Sequence, residues 1–206
     1  MTQGADNEAQ YEGECLRRLE MGLSVESMAI EMPTVHGHPN RVSFRGVLTI
    51  VDVASDKSPS GARGHRVLLT RRAAEAAMPS LMGMGLDYSP ALDRHDARRK
   101  IGVITRAEIV GRVIEVAGFL YARDFPEIVA EIGRPGRAGS LPTGSESAGR
   151  NLRATSAGLG MSYEIADARV EDMTASVWVL NRVTFTGAAV LRRDKAAYRS
   201  TWIELG

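Results

Sequence analysis

From residue 41 onward, runs of alternating or β-branched apolar residues recur without the strand–helix–strand rhythm of a parallel α/β fold. That pattern restricts the architecture more than any other feature of the chain. The runs are "RVSFRGVLTIVDV" (41–53), "HRVLLT" (65–70), "KIGVITRAEIVGRVIEVAGFLYA" (100–122), "LGMSYEIADARVED" (159–172) and "ASVWVLNRVTFTGAAVL" (175–191). The third reads as two strands with a turn between Glu108 and Arg112. Two stretches change character. The alanines of "RRAAEAAMPSLMGM" (71–84) favour a helix that Pro79 breaks. "DFPEIVAEIG" (124–133) predicts a short helix with Asp124 as N-cap and Pro126 in the first turn. The expected class is mainly β (α+β), a small β-barrel core with short peripheral helices. With 44% apolar and 25% charged residues, the chain can fill such a core.

The flanks read differently. Residues 1–31 hold seven acidic residues against Arg17 and Arg18, although Tyr11, Cys15, Leu16, Leu19 and Leu23 are spaced for a short amphipathic helix. Pro33, Gly37 and Pro39 mark a linker. Residues 1–40 are therefore expected to be an acidic, flexible extension, and residues 41–206 the folded domain. The Gly-, Ser- and Arg-rich stretch 133–157 is expected to be a mobile loop within it. A net charge of +1 gives no electrostatic footprint for nucleic acid or an anionic membrane. No apolar run reaches the length of a membrane span, and the acidic beginning is unlike an export signal. One cysteine, Cys15, supports neither an internal disulfide nor a thiolate zinc site, so a reducing cytoplasm is the expected setting, with no metal and no cofactor.

Four histidines and several serines are candidates for chemistry. His36 and His38 form "HGH" in the linker and read as exposed, and His65 reads as a surface residue at a strand start. His95 lies in the polar turn "YSPALDRHDARRKIG", flanked by Asp93 and Asp96 and followed directly by a strand. A histidine held at a strand edge is suited to general-base work. Ser140, Ser145, Ser147 and Ser156 lie in the glycine-rich stretch and read as linker, whereas Ser162 lies on a strand. The strand period turns Ser162 and Glu164 to one face, Met161 and Tyr163 to the other. The surroundings are not the G-x-S-x-G elbow of α/β-hydrolases.

Taken in order, "HD…KIG", "AEIVGRVIEVAGFLYA", a variable loop, "LGMSYEI" and "VTFTGAAVL" resemble the tailed-phage prohead proteases. These capsid-maturation serine proteases are distantly similar to herpesvirus assemblin. The resemblance covers roughly residues 42–198 and lies in the ordered combination rather than in any single motif. It implies a β-barrel with peripheral helices, a serine nucleophile on Ser162 and a histidine base on His95. It also implies that the scaffolding and major capsid proteins are cleaved inside an immature particle in the host cytoplasm. No nucleic acid or membrane partner is implied, and a homo-oligomer stays open.

Assemblin's third member is a second histidine, and no histidine follows Ser162 here. Glu164, on the face of Ser162, ranks first as the orienting group because a carboxylate both orients and stabilises an imidazolium. Thr184 and Asn181 of "NRVTFTG" are the neutral alternatives, and Asp93 and Asp96 stay open beside His95. "LRRDK" resembles assemblin's oxyanion arginine pair, which falls on Arg192 and Arg193, although the same residues suit a solvated basic turn. A fold does not guarantee its activity. The alternative expectation is a catalytically inactive barrel serving as a scaffolding or capsid-assembly protein.

Overall fold

The computed structural model describes residues 25–33, 37–134 and 158–206. The helix expected near Tyr11–Leu23, His36, and the expected loop from residue 135 onward lie outside the described residues. Of the described residues 48% are strand and 14% helix, and the sheet curls into a half-barrel with two short helices. Its strands are β1 (Ser27–Ala29), β2 (Arg41–Ile50), β3 (Arg66–Leu69), β4 (Gly85–Tyr88), β5 (Lys100–Val110), β6 (Val113–Tyr121), β7 (Leu159–Val170), β8 (Val177–Arg192) and β9 (Trp202–Leu205). The helices are α1 (Arg71–Ala77) and α2 (Pro126–Gly133), with a 3₁₀ turn at Met78–Leu81 where Pro79 ends the α-helical run.

The sheet runs β3-β8-β4-β5-β6-β2-β9, with β1 added to β5 and β7 to β8. Two single bridges, Val51–Leu69 and Ala54–Leu68, tie the chain just after β2 back to β3, so the ends of the sheet approach at one corner. Inward positions recur every second residue. On β6, Ile114, Val116 and Leu120 point into a core that also holds Phe44, Leu86, Ile104 and Met161.

Strand β8 organises this arrangement because both of its edges are used. β7 pairs antiparallel along one edge, from Leu159–Arg192 to Val170–Leu180. The other edge takes β3 in parallel at Val177–Leu180 and β4 in parallel at Ala188–Val190. Between them α1 and its 3₁₀ turn fill the gap. Thr70 caps α1 by accepting from the Ala73 amide and donates its hydroxyl to the Leu180 carbonyl. The Ser80 hydroxyl oxygen accepts from the Phe185 amide at 2.9 Å.

Four differences from the sequence reading have local causes. Residues 27–29 are not part of a detached extension: they pair with Arg106–Glu108 of β5. Three residues are too few to show a period. β4 and β9, four residues each, escape notice for the same reason. Asp124 does not cap α2: Phe125 holds that position, and the Asp124 carboxylate accepts from Asn40 Nδ2 at 2.7 Å. His65 is half-buried, its ring stacked on Trp178 with centroids 4.6 Å apart.

Gly118 lies between Phe44 on β2 and Ile104 on β5, and a Cβ there would overlap the Val103 carbonyl and press on the Phe44 ring. Gly118→Ala should therefore cost about 1–3 kcal/mol, the usual penalty for overpacking. Gly61→Ala, where a Cβ meets nothing within 4 Å, should leave stability nearly unchanged. Urea midpoints of the two variants test the contrast.

Candidate functional site

Sheet register brings the site together. Ala189 on β8 pairs with Asp87 on one side and with Ser162 on the other. Residues paired across neighbouring strands point to the same face, so Asp87, Ala189 and Ser162 form a row across three strands. Glu164 continues that face of β7 opposite Gly187. A Cβ on Gly187 would come within 2.8 Å of the Glu164 carboxylate and push it aside. Tyr163 turns the other way and packs edge-on against Phe185, with ring centroids 5.4 Å apart.

The chain after β4 folds over this row. Leu92, with φ of 53°, takes a left-handed turn conformation, and its carbonyl accepts from the Arg192 amide at 2.7 Å. The Ser89 hydroxyl donates to Asp93 at 2.9 Å and accepts from the Asp93 amide. The Asp96 amide reaches back to Asp87 Oδ1 at 3.1 Å. These ties lay His95 against the row. Its Nδ1 is 3.5 Å from Asp87 Oδ1 and 3.9 Å from Glu164 Oε1. These are ion-pair distances, and among the described residues neither ring nitrogen completes a hydrogen bond. Bonds of this kind are often long before a substrate is bound.

Asp87 is fully buried, whereas half of the Glu164 side chain is open to solvent. Burial is the largest single influence on Asp87 and opposes its charge. His95, Lys100 and the Asp96 amide together outweigh it and hold the carboxyl below the ordinary aspartate value. Lys100 Nζ lies 3.0 Å from the second oxygen, Oδ2. Asp87 is thus a buried carboxylate with a defined partner on each oxygen, the kind of group that fixes an imidazole's orientation.

Of the residues singled out from sequence, the structure gathers His95, Glu164 and Ser162 on one face. Thr184 lies farther along β8 and donates to Asp167 at 3.3 Å, away from His95. Asn181 is exposed near the opposite end of β8. Asp93 is engaged with Ser89, and Asp96 with the Arg98 amide and the Arg99 guanidinium. Arg192 and Arg193 follow the row along β8, but both backbone amides are occupied, by the carbonyls of Leu92 and Gly158. An oxyanion role would therefore fall to their guanidinium groups, of which Arg192 pairs with Asp194 and Arg193 reaches the Leu159 carbonyl. Sequence reasoning missed Asp87 and Lys100. The available signal was one aspartate set between Leu86 and Tyr88 in a short apolar run, where a charge needs a partner.

A groove opens beside the row. The Arg193 amide bonds the Gly158 carbonyl, and that pairing repeats every second residue, so the peptide groups of Ser162 and Glu164 face β8. Those of Met161 and Tyr163 face the opposite edge, where the Met161 amide donates to Thr201 Oγ1 at 3.2 Å. No described strand pairs with that edge. A cavity of about 450 Å³ runs along it, with Ser162, Tyr163 and Glu164 in its wall.

The chain matches no family model, no curated protein and no solved structure. Among the described residues no helix is long and apolar enough to cross a membrane, and no three His, Cys, Asp or Glu side chains converge as a metal site.

A carboxyl whose folded pKa is depressed adds stability above its unfolded pKa, and that stability fades as pH falls through the lower, folded value. Wild type should therefore lose stability as pH drops below about 4, the ordinary aspartate range. Asp87→Asn should cost about 1–3 kcal/mol at neutral pH, because Lys100, His95 and the Asp96 amide lose their charged acceptor. It should also flatten the acid limb. Urea denaturation from pH 7 to pH 3 measures both effects.

Proposed function

We propose that this chain is a serine endopeptidase in which Ser162 is the nucleophile, His95 the general base and Asp87 the group that orients the imidazole. The observation that carries the reading is the row Asp87–Ala189–Ser162 with His95 laid against it, Nδ1 toward the buried carboxylate. With Nδ1 directed to Asp87, Nε2 is the nitrogen left to take the Ser162 proton as Oγ attacks a peptide carbonyl. The same proton then passes to the leaving amine. Asp87 replaces Glu164 as the preferred third member, because a buried carboxylate interacts with an imidazolium more strongly than a solvated one. Substrate enters as an extended segment along the open edge of β7, where the Tyr163 peptide group is directed outward. On the resemblance to prohead proteases, the substrates are the scaffolding and major capsid proteins of an assembling phage head.

One observation favours the inactive alternative: neither nitrogen of His95 completes a hydrogen bond. In that reading the barrel serves assembly without cleaving. A fluorophosphonate probe separates the two without a known substrate. The protease reading expects a covalent adduct on Ser162, absent in Ser162→Ala and strongly reduced in His95→Ala. On co-expression with its scaffolding and capsid proteins, wild type should shorten them by intact mass. Each variant should lose several orders of magnitude in rate with an unchanged circular dichroism spectrum. A variant that cleaves near the wild-type rate removes its residue from the mechanism. A wild type that neither labels nor cleaves leaves the assembly role.

A further inference from the structure

The groove continues well past Ser162, and its far end changes in chemistry. There the wall is built from Val67, Val170, Trp178 and Leu180. The Trp178 indole is fixed in place: its Nε1–H donates to the Met173 carbonyl at 3.1 Å, and its ring stacks on His65 with an interplanar angle of 16°. His65 is anchored in turn, its Nδ1 2.8 Å from the Ala175 carbonyl oxygen. A wall held this way is preformed and loses little entropy on binding. Glu164, at the Ser162 end, is the one charged side chain among the described residues that line the cavity.

We infer that this cavity is a specificity subsite for one large apolar side chain, of the size of Leu, Met or Phe, carried by an extended peptide added along β7. The inference rests on the protease reading and names its substrate class. Three observations converge. The edge of β7 that no described strand pairs with turns the Tyr163 peptide group outward beside Ser162, the contact that strand addition uses. The cavity is continuous from Ser162 to Trp178, so a peptide reacting at one end reaches the other. A charged side chain at the Trp178 end would be desolvated with no opposite charge to meet it, whereas an apolar one would bury its surface against Val67, Val170 and Leu180.

The test uses Ser162→Ala protein and fluorescein-labelled decapeptides of serine and threonine carrying a single Leu, Phe, Lys or Glu, scanned along the peptide and read by polarisation. At one position Leu and Phe peptides should bind on the order of tenfold tighter than Lys or Glu peptides. Ala168, exposed on the cavity rim, gives a variant that spares the core: Ala168→Arg should erase the preference. Trp178→Ala should weaken it as a second reading of the same wall. Equal binding of Leu and Glu peptides, a preference untouched by both substitutions, or no binding at all overturns the subsite. Fluorophosphonate labelling of wild type keeps the two readings apart. Labelling without an apolar preference sinks the subsite alone, and a preference without labelling sinks the protease reading alone.

Discussion

Everything at the candidate site depends on the register in which β7 lies on β8. Side chains alternate faces with a period of two, so a slip of one residue would send Ser162 and Glu164 into the core and bring Met161 and Tyr163 out. Several contacts forbid the slip. Met161 is buried and its amide is held by Thr201, Tyr163 packs on Phe185, and the Arg193 amide closes on the Gly158 carbonyl. The opposite edge of β8 is fixed independently by Leu86, fully buried opposite Ala188. With both neighbours pinned by apolar packing, Asp87 and Ser162 meet across Ala189 as a consequence of core burial. The side chains of the candidate site are positioned by residues outside it.

The electrostatics follow from the same placement. Residues Gly187–Leu191 are buried on both faces, one against the core and the other beneath the loop that carries His95. A carboxylate placed there loses its water and must find partners, and Asp87 has a cation on one oxygen and an imidazole and amide on the other. Glu164, only two residues from Ser162, keeps half of its side chain in water, where its pull on an imidazole is screened. Two carboxylates therefore face one histidine from unequal dielectrics. The buried one governs orientation, and the exposed one shapes the mouth of the groove.

The class of the fold was legible because long strands announce themselves: β2, β5, β6, β7 and β8 each span nine residues or more with clear apolar spacing. β1, β4 and β9 were not, because three or four residues cannot display a period. Missing β4 meant missing Asp87, and with it the strongest partner of His95. The sequence order of His95 and Ser162 was visible, and so was the shared face of Ser162 and Glu164. The parallel pairing of β4 with β8 was not, since it joins residues about a hundred positions apart with no local signal. The oxyanion expectation for Arg192 and Arg193 rested on the resemblance of "LRRDK", whereas hydrogen bonding, which no sequence pattern displays, decides whether their amides are available.

An unpaired strand edge is a hazard, since it templates pairing with any extended chain, and proteins guard such edges with charges and bulges. β7 follows that practice selectively. Past Glu164 its ladder with β8 shifts register three times, and the same stretch carries Asp167 and Arg169. Another full-length strand could not follow that contour. From Leu159 to Glu164 the register is unbroken, and the residues whose peptide groups point outward are uncharged. With the Leu159 carbonyl taken by Arg193 and the Met161 amide by Thr201, the edge is open to strand addition at Tyr163, beside Ser162, and closed to it beyond. An edge left receptive beside the proposed nucleophile, and protected elsewhere, suits brief capture of a peptide better than stable association with another sheet.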